Sequence, residues 1–166
     1  MKFQIRQKIF SFRDRFTIQD EFNQPQYIVE GKFFSFGNKL TLYNMQQEEQ
    51  IYIEQKLFKF LPEYYFYQKG RYIAKIKKEI SFLKPKFYIE SIQGYYEILG
   101  NIFAHDFQIL KNNQLVCTVN KSWFSFTDTY GVEIKESEDP SLILAFVIVL
   151  DQIYHENHNT TNVNNN

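Results

Sequence analysis

The chain has 166 residues, the size of one domain. Hydrophobic residues make up 44% of it and aromatic residues 19%, which supplies a core and excludes a disordered chain. Nineteen basic and nineteen acidic residues cancel, so a whole-molecule electrostatic drive toward nucleic acid is excluded and charge effects must be local.

The N-terminal stretch, MKFQIRQKIF, alternates apolar and polar residues and lacks the continuous apolar segment of a signal peptide. The lone Cys117 cannot form an internal disulfide, which fits a reducing compartment; the expected location is the cytoplasm. A repeat then runs to about residue 135. Its copies are QKIFSFRDRFTI from Gln7, GKFFSFGNKLTL from Gly31, QKLFKFLPEYYF from Gln55, KKEISFLKPKFYI from Lys77, NIFAHDFQI from Asn101 and KSWFSFTDTYGV from Lys121. Aligned, they give Phe12, Phe36, Phe60, Phe82, Phe103 and Phe126 one role. A second large apolar residue follows four positions on at Phe16, Leu40, Tyr64, Phe107 and Tyr130, and five on at Phe87, beside Pro85.

Each copy reads as a strand, a turn and a strand. Turn residues separate the strands at Asn23–Pro25, Asn44–Glu49, Lys69–Gly70, Gln93–Gly94 and Asn112–Asn113. Twelve strands are predicted, at 2–10, 15–20, 26–34, 39–44, 50–58, 63–68, 71–80, 86–91, 94–102, 105–110, 114–124 and 128–135. Short connections make neighbours antiparallel. Alternation points Tyr27, Val29, Gly31 and Phe33 inward, with Ile51, Ile53 and Leu57, with Tyr72, Ala74 and Ile76, and with Leu115, Cys117 and Val119.

The last element is Asp139–His155, DPSLILAFVIVLDQIYH. Leu142–Leu150 has no polar side chain, so a helix here has no solvent face and must be buried. The nine-residue run is too short for a bilayer, which needs about 20 residues. Asp139 suits the cap and Pro140 the first helical position, and Glu136, Glu138 and Asp139 complement the helix dipole. A barrel is filled by its own side chains at about eight strands, so twelve strands leave a hollow. The buried helix fills it. The predicted fold is therefore mainly β, a twelve-stranded antiparallel barrel closed around a C-terminal helix. Residues 1–156 form this single domain, and 157–166, with six Asn and one apolar residue, form a disordered tail.

These segments, above all QKIFSFRDRFTI, YIVEGKFFSFGNKL, YIEQKLFKFLPEY, KSWFSFTDTY and the closing helix, resemble the LURP-one-related family in its bacterial YxjI-like branch, from Lys2 to about Tyr154. The resemblance implies the fold shared with the tubby C-terminal domain and phospholipid scramblases. Tubby domains bind phosphoinositide head groups and scramblases act at membranes. No motif here matches tubby's lipid-binding residues, so that function transfers only by analogy.

No phosphate loop, GxSxG, HExxH or CxxC is present, which argues against an enzyme and against a cofactor. His105 and Asp106 are adjacent on a strand and so face opposite ways. His155 and His158 are a surface pair rather than a zinc site, which normally takes four ligands. Cys117 is a small core residue rather than a reactive thiol, and the FSF repeats are packing residues rather than a base-stacking platform. One charge asymmetry stands out. Residues 69–86 hold Lys69, Arg71, Lys75, Lys77, Lys78, Lys84 and Lys86 against Glu79, so 7 − 1 = +6. Arg71, Lys75, Lys77, Lys84 and Lys86 form the candidate binding face for an anion, set against a merely solvated face. Five such cations contribute about 5 kcal/mol at an anionic membrane, enough for weak peripheral contact only. The expected function is a non-enzymatic binding module for anionic lipid head groups or another anionic ligand; the alternative is a protein-interaction scaffold. Nucleic acid and a transmembrane segment are not expected.

Overall fold

The computed structural model of the chain describes residues 1–6, 15–34, 37–56, 61–79, 86–121 and 129–163, with side chains except at 33–34 and 154–163. Twelve strands run in order: β1 (Lys2–Arg6), β2 (Arg15–Asp20), β3 (Pro25–Phe34), β4 (Gly37–Asn44), β5 (Glu49–Gln55), β6 (Glu63–Gln68), β7 (Arg71–Glu79), β8 (Lys86–Ser91), β9 (Gly94–Asn101), β10 (Asp106–Lys111), β11 (Gln114–Asn120) and β12 (Thr129–Ile134). Each pairs antiparallel with its neighbours in sequence, and β1 pairs with β12 to close the barrel. Closure leaves no edge strand to template aggregation. The hairpins β2–β3, β4–β5, β6–β7, β8–β9 and β10–β11 all turn at one end, called here the turn end.

Local chemistry explains these turns. Lys69 and Gly70 have φ of 49° and 72°, and Asn112 and Asn113 have 49° and 66°, the left-handed pairs that tight hairpins require. In the β2–β3 turn the Asp20 carboxylate accepts from the backbone amides of Phe22 and Gln24, both at 2.9 Å. The hydrogen bond from Gln24, outweighing the effect of burial, holds the Asp20 carboxyl below its ordinary range, with Phe22 and Gln26 adding to it.

The helix α1 (Pro140–Val163) enters at the turn end and runs through the barrel. Asp139 Oδ1 accepts from the Ser141 amide at 2.9 Å and its hydroxyl at 2.6 Å, a cap with proline at the first helical position. Gln68 donates to Asp139 and Lys111 pairs with Glu138 at 3.0 Å, tying the helix start to β6 and β10. Every side chain from Leu142 to Leu150 is buried. Phe146 sits edge-on against Phe66 (5.1 Å) on β6 and Tyr96 (5.2 Å) on β9, three strands apart in the wall. The helix is longer than the predicted 139–155; no Gly or Pro lies between Asp151 and Val163 to stop it.

The repeat has a structural meaning. Leu40, Tyr64, Phe87, Phe107 and Tyr130 are all buried, and Phe16 packs against the same core. Phe12, Phe36, Phe60, Phe82 and Phe126 lie outside the described residues, as does Leu57. Two inward assignments are corrected. Tyr72 and Leu115 are exposed, because each lies beyond a β-bulge. Phe66 pairs with Ala74 but Tyr67 with Tyr72, so Ile73 is an extra residue; Ile109 pairs with Cys117 but Leu110 with Leu115, so Val116 is another. The extra residue is buried in both strands and turns the next side chain outward.

Candidate functional site: a tyrosine and lysine face on β5–β8

Among the described residues the interior is packed around α1. His105, in the left-handed conformation after a short 3-10 helix (Ile102–Ala104), contacts Asp151 of α1 at 2.5 Å and stacks on Tyr130 at 4.3 Å. The Tyr130 hydroxyl donates to the other Asp151 oxygen at 3.4 Å. Burial, with the Asp151 carboxylate adding to it, holds the Tyr130 phenol well above its ordinary range. This His–Asp–Tyr group resembles catalytic machinery in composition, but the His105 and Asp151 side chains are only 2% and 1% exposed. It ties α1 to His105 and to β12 and so holds the helix at one depth. Asp106 is exposed and takes no part. Cys117 is also buried, and desolvation pushes its thiol up, away from a reactive thiolate. Among the described residues no group of three or more His, Cys, Asp or Glu could hold a metal. The side chains of His155 and His158 lie outside the described residues.

The outer wall is different. Alternation on β5, β6 and β7 turns Tyr52, Tyr65 and Tyr67 outward, and the Ile73 bulge adds Tyr72. Their rings form one connected group: Tyr52–Tyr67 at 6.0 Å, Tyr65–Tyr72 at 5.6 Å and Tyr67–Tyr72 at 6.3 Å. Lys56 Nζ lies 4.9 Å from the Tyr65 ring centre and 5.9 Å from that of Tyr67. Burial opposes the Lys56 charge, but Glu54 and the Tyr67 hydroxyl outweigh it and hold the ammonium above its ordinary value.

The candidate cations divide by partner and position. Lys75 forms an ion pair with Glu90 at 2.8 Å, and that hydrogen bond keeps its ammonium above the ordinary value despite some burial. Arg71, Lys77 and Lys86 are exposed and form no ion pair among the described residues. Lys77 pairs with Tyr88 and Glu79 with Lys86 across β7–β8, so Lys77 and Lys86 are diagonal neighbours on the outer face. Such neighbours stand about 7–8 Å apart. Arg71 lies six positions before Lys77, about 20 Å along the strand, so the set is a stripe and not a pocket. Lys84 lies outside the described residues. The tyrosine cluster was not apparent from the sequence; outward alternation on β5 and β6 was its signal, hidden at Tyr72 by the bulge.

Among the described residues no helix is long and apolar enough to cross a membrane. The chain is 34% identical over 151 residues to an uncharacterized protein of Bacillus subtilis (strain 168), YxjI, covering 91% of this chain and 92% of that one. The crystal structure of an Arabidopsis thaliana protein matches with a TM-score of 0.64 at 12% identity, over 92% of this chain and 91% of that one, which shows a shared fold. The family model described as LURP-one-related matches residues 1–151. With the closed barrel, the threaded helix and this match over nearly its whole length, the chain belongs to the LURP-one-related family.

Proposed function

We propose that the protein is a non-enzymatic binding module whose β5–β8 face meets anionic lipid head groups at the cytoplasmic surface of a membrane. The observation that carries this reading is the stripe of exposed cations, Arg71, Lys77 and Lys86, which form no ion pair among the described residues and flank a partly exposed tyrosine cluster. Tyrosine suits the membrane–water boundary because an apolar ring carries a polar tip. Three such cations contribute about 3 kcal/mol at an anionic surface. That alone corresponds to millimolar affinity, so contact is peripheral and reversible. Lys75 adds less, since Glu90 already neutralises it.

The test is cosedimentation with anionic and neutral vesicles, at low and physiological salt. Wild type should bind anionic vesicles at low salt, weaken at physiological salt and ignore neutral ones. Lys77→Gln with Lys86→Gln should sharply weaken binding while leaving the melting temperature nearly unchanged, because both side chains are exposed and neither change sets like charges opposite Glu63 or Glu79. Equal binding by both folded proteins would refute the reading. The second reading, a protein-interaction scaffold, draws on Phe22, 72% exposed in the β2–β3 turn, four strands round the barrel from β6–β7. An interface of that kind would be insensitive to salt.

A further inference from the structure

Six large apolar side chains exposed at the surface lie on or within two residues of a hairpin tip at the turn end: Phe22, Met45, Tyr72, Ile92, Tyr95 and Leu115. Three of them belong to the adjacent hairpins β6–β7 and β8–β9. Ile92 is 70% exposed, Tyr95 47% and Tyr72 40%. The hairpins are joined there, since the Ile92 amide donates to the Ile73 carbonyl at 2.9 Å.

Turn chemistry does not call for these residues. Ser91 and Gly94 pair, closing a two-residue loop of Ile92 and Gln93. Gly94 takes the positive φ of 137°, and the Ser91 hydroxyl accepts from the Gln93 amide at 3.1 Å. Gly, Asn, Asp, Ser and Pro favour such tips for stated backbone reasons; Ile supplies none of them. Tyr72 is outward only because of the Ile73 bulge, a device that re-aims a side chain. Beside them Lys69 and Arg71 are exposed, with no ion pair among the described residues. The nearest acid on β8, Glu90, is taken by Lys75. Of the other acids of this end, Asp20 and Glu21 lie at β2–β3, Glu48 and Glu49 at β4–β5, and Glu136, Glu138 and Asp139 before α1, while Glu97 stands on β9 two residues beyond Tyr95, farther from the tip.

We propose that the β6–β7 and β8–β9 hairpins are an inserting anchor: Ile92, Tyr72 and Tyr95 enter the boundary between head groups and acyl chains of an anionic bilayer, and Lys69 and Arg71 meet its phosphates. This rests on the lipid reading above and adds to it an orientation, with the β5–β8 face lying along the membrane and tilted so that its turn end dips into it. Charge complementarity selects the occupant, because Lys69 and Arg71, exposed and without an ion pair among the described residues, flank the apolar tips of this corner. The pairing of apolar tip, tyrosine ring and snorkelling cation is how a surface lodges at the interface.

The experiment uses the full chain and vesicles of phosphatidylglycerol or phosphatidylcholine. Ile92→Trp introduces a reporter, with wild type, whose one tryptophan is Trp123, as the background. On phosphatidylglycerol vesicles the added emission should shift blue and be quenched by lipids brominated in the acyl chain. Ile92→Ser should weaken partitioning about tenfold. Phe22→Ser, six strands round the barrel and equally exposed, should leave it unchanged. Each variant is first shown to melt as wild type does. Bound protein with unshifted emission, or full binding by Ile92→Ser, would overturn insertion while leaving the lipid reading standing. An equal loss in Phe22→Ser would overturn this corner as the anchor. No association of wild type with phosphatidylglycerol at low salt would overturn the lipid reading and insertion together.

Discussion

Phe146→Ala measures what the threaded helix contributes. Phe146 is fully buried and meets Phe66 and Tyr96 edge-on, at 5.1 and 5.2 Å. These partners lie on β6 and β9, three strands apart, so one ring braces two regions of the wall. Truncating a buried Phe to Ala costs about 3–5 kcal/mol, in which lost transfer energy and the remaining cavity both count. Each aromatic pair is worth about 0.5–1.5 kcal/mol beyond its buried area, which places this site toward the upper end. A domain is typically stable by about 5–15 kcal/mol, so the variant should still fold. With a urea slope of about 2 kcal/mol/M, a loss of about 4 kcal/mol lowers the midpoint by about 2 M. Urea titration followed by circular dichroism reads this directly. Leu99→Ala, at an exposed site on β9, is the control and should shift the midpoint very little. A shift below about 0.5 M for Phe146→Ala, with an unchanged slope, would show that the helix is not the core of the barrel.

Ala145→Asp buries a carboxylate in the same helix; it should prevent cooperative folding, and a soluble variant with normal melting would contradict the threaded arrangement. His105→Ala removes the 2.5 Å partner of buried Asp151 and should cost about 3 kcal/mol or more, while His105→Phe with Asp151→Leu should recover part of the loss; additive single and double effects in urea would show that the two do not act as a pair. The Asp20 carboxyl, lowered by its turn, stabilises the fold above its unfolded value and loses that contribution as pH falls through the lower folded value; its titration by NMR should have a midpoint below the ordinary aspartate value of 3.8, and a midpoint at or above it would deny the turn hydrogen bonds a role. Deleting 157–166 should leave the melting temperature within about a degree, since six of the ten residues are Asn and one is apolar; a drop of several degrees would show that the segment packs.

The helix and the strand count were legible because each depends on pattern alone. An apolar run with no polar face and an Asp-Pro start can be read without knowing its neighbours, and Asp139 caps it as the sequence implies. Strand positions followed from alternation between turn residues, and most agree with the structure within two residues. Alternation fails where a strand gains a residue. Nothing in RYIAKIKKE marks Ile73 as extra, since the bulge is set by pairing with Phe66 and Tyr67 on β6. The same holds for Val116 opposite β10. The His105–Asp151 contact spans 46 residues and depends on how far the helix penetrates. Its one sequence trace was a lone acid ending an apolar run that must stay inside the barrel.

The filled interior decides where function can reside. A twelve-strand wall could enclose a ligand, as wider barrels do. Here the helix occupies that space from Leu142 to Leu150, and the polar group at Asp151 is spent on His105 and Tyr130. Threading also couples the two ends, because Asp139 and Glu138 tie α1 to β6 and β10 at the turn end, while Asp151 ties it to His105 at the other. Such a body has little freedom to open, and the binding proposed above uses its outer wall and hairpin tips. On that surface the two departures from regular strand geometry on β7 and β11 both leave an apolar side chain exposed near the turn end, Tyr72 and Leu115. Exposure of apolar rings and chains gains nothing for folding, so these bulges are best understood through what the surface meets.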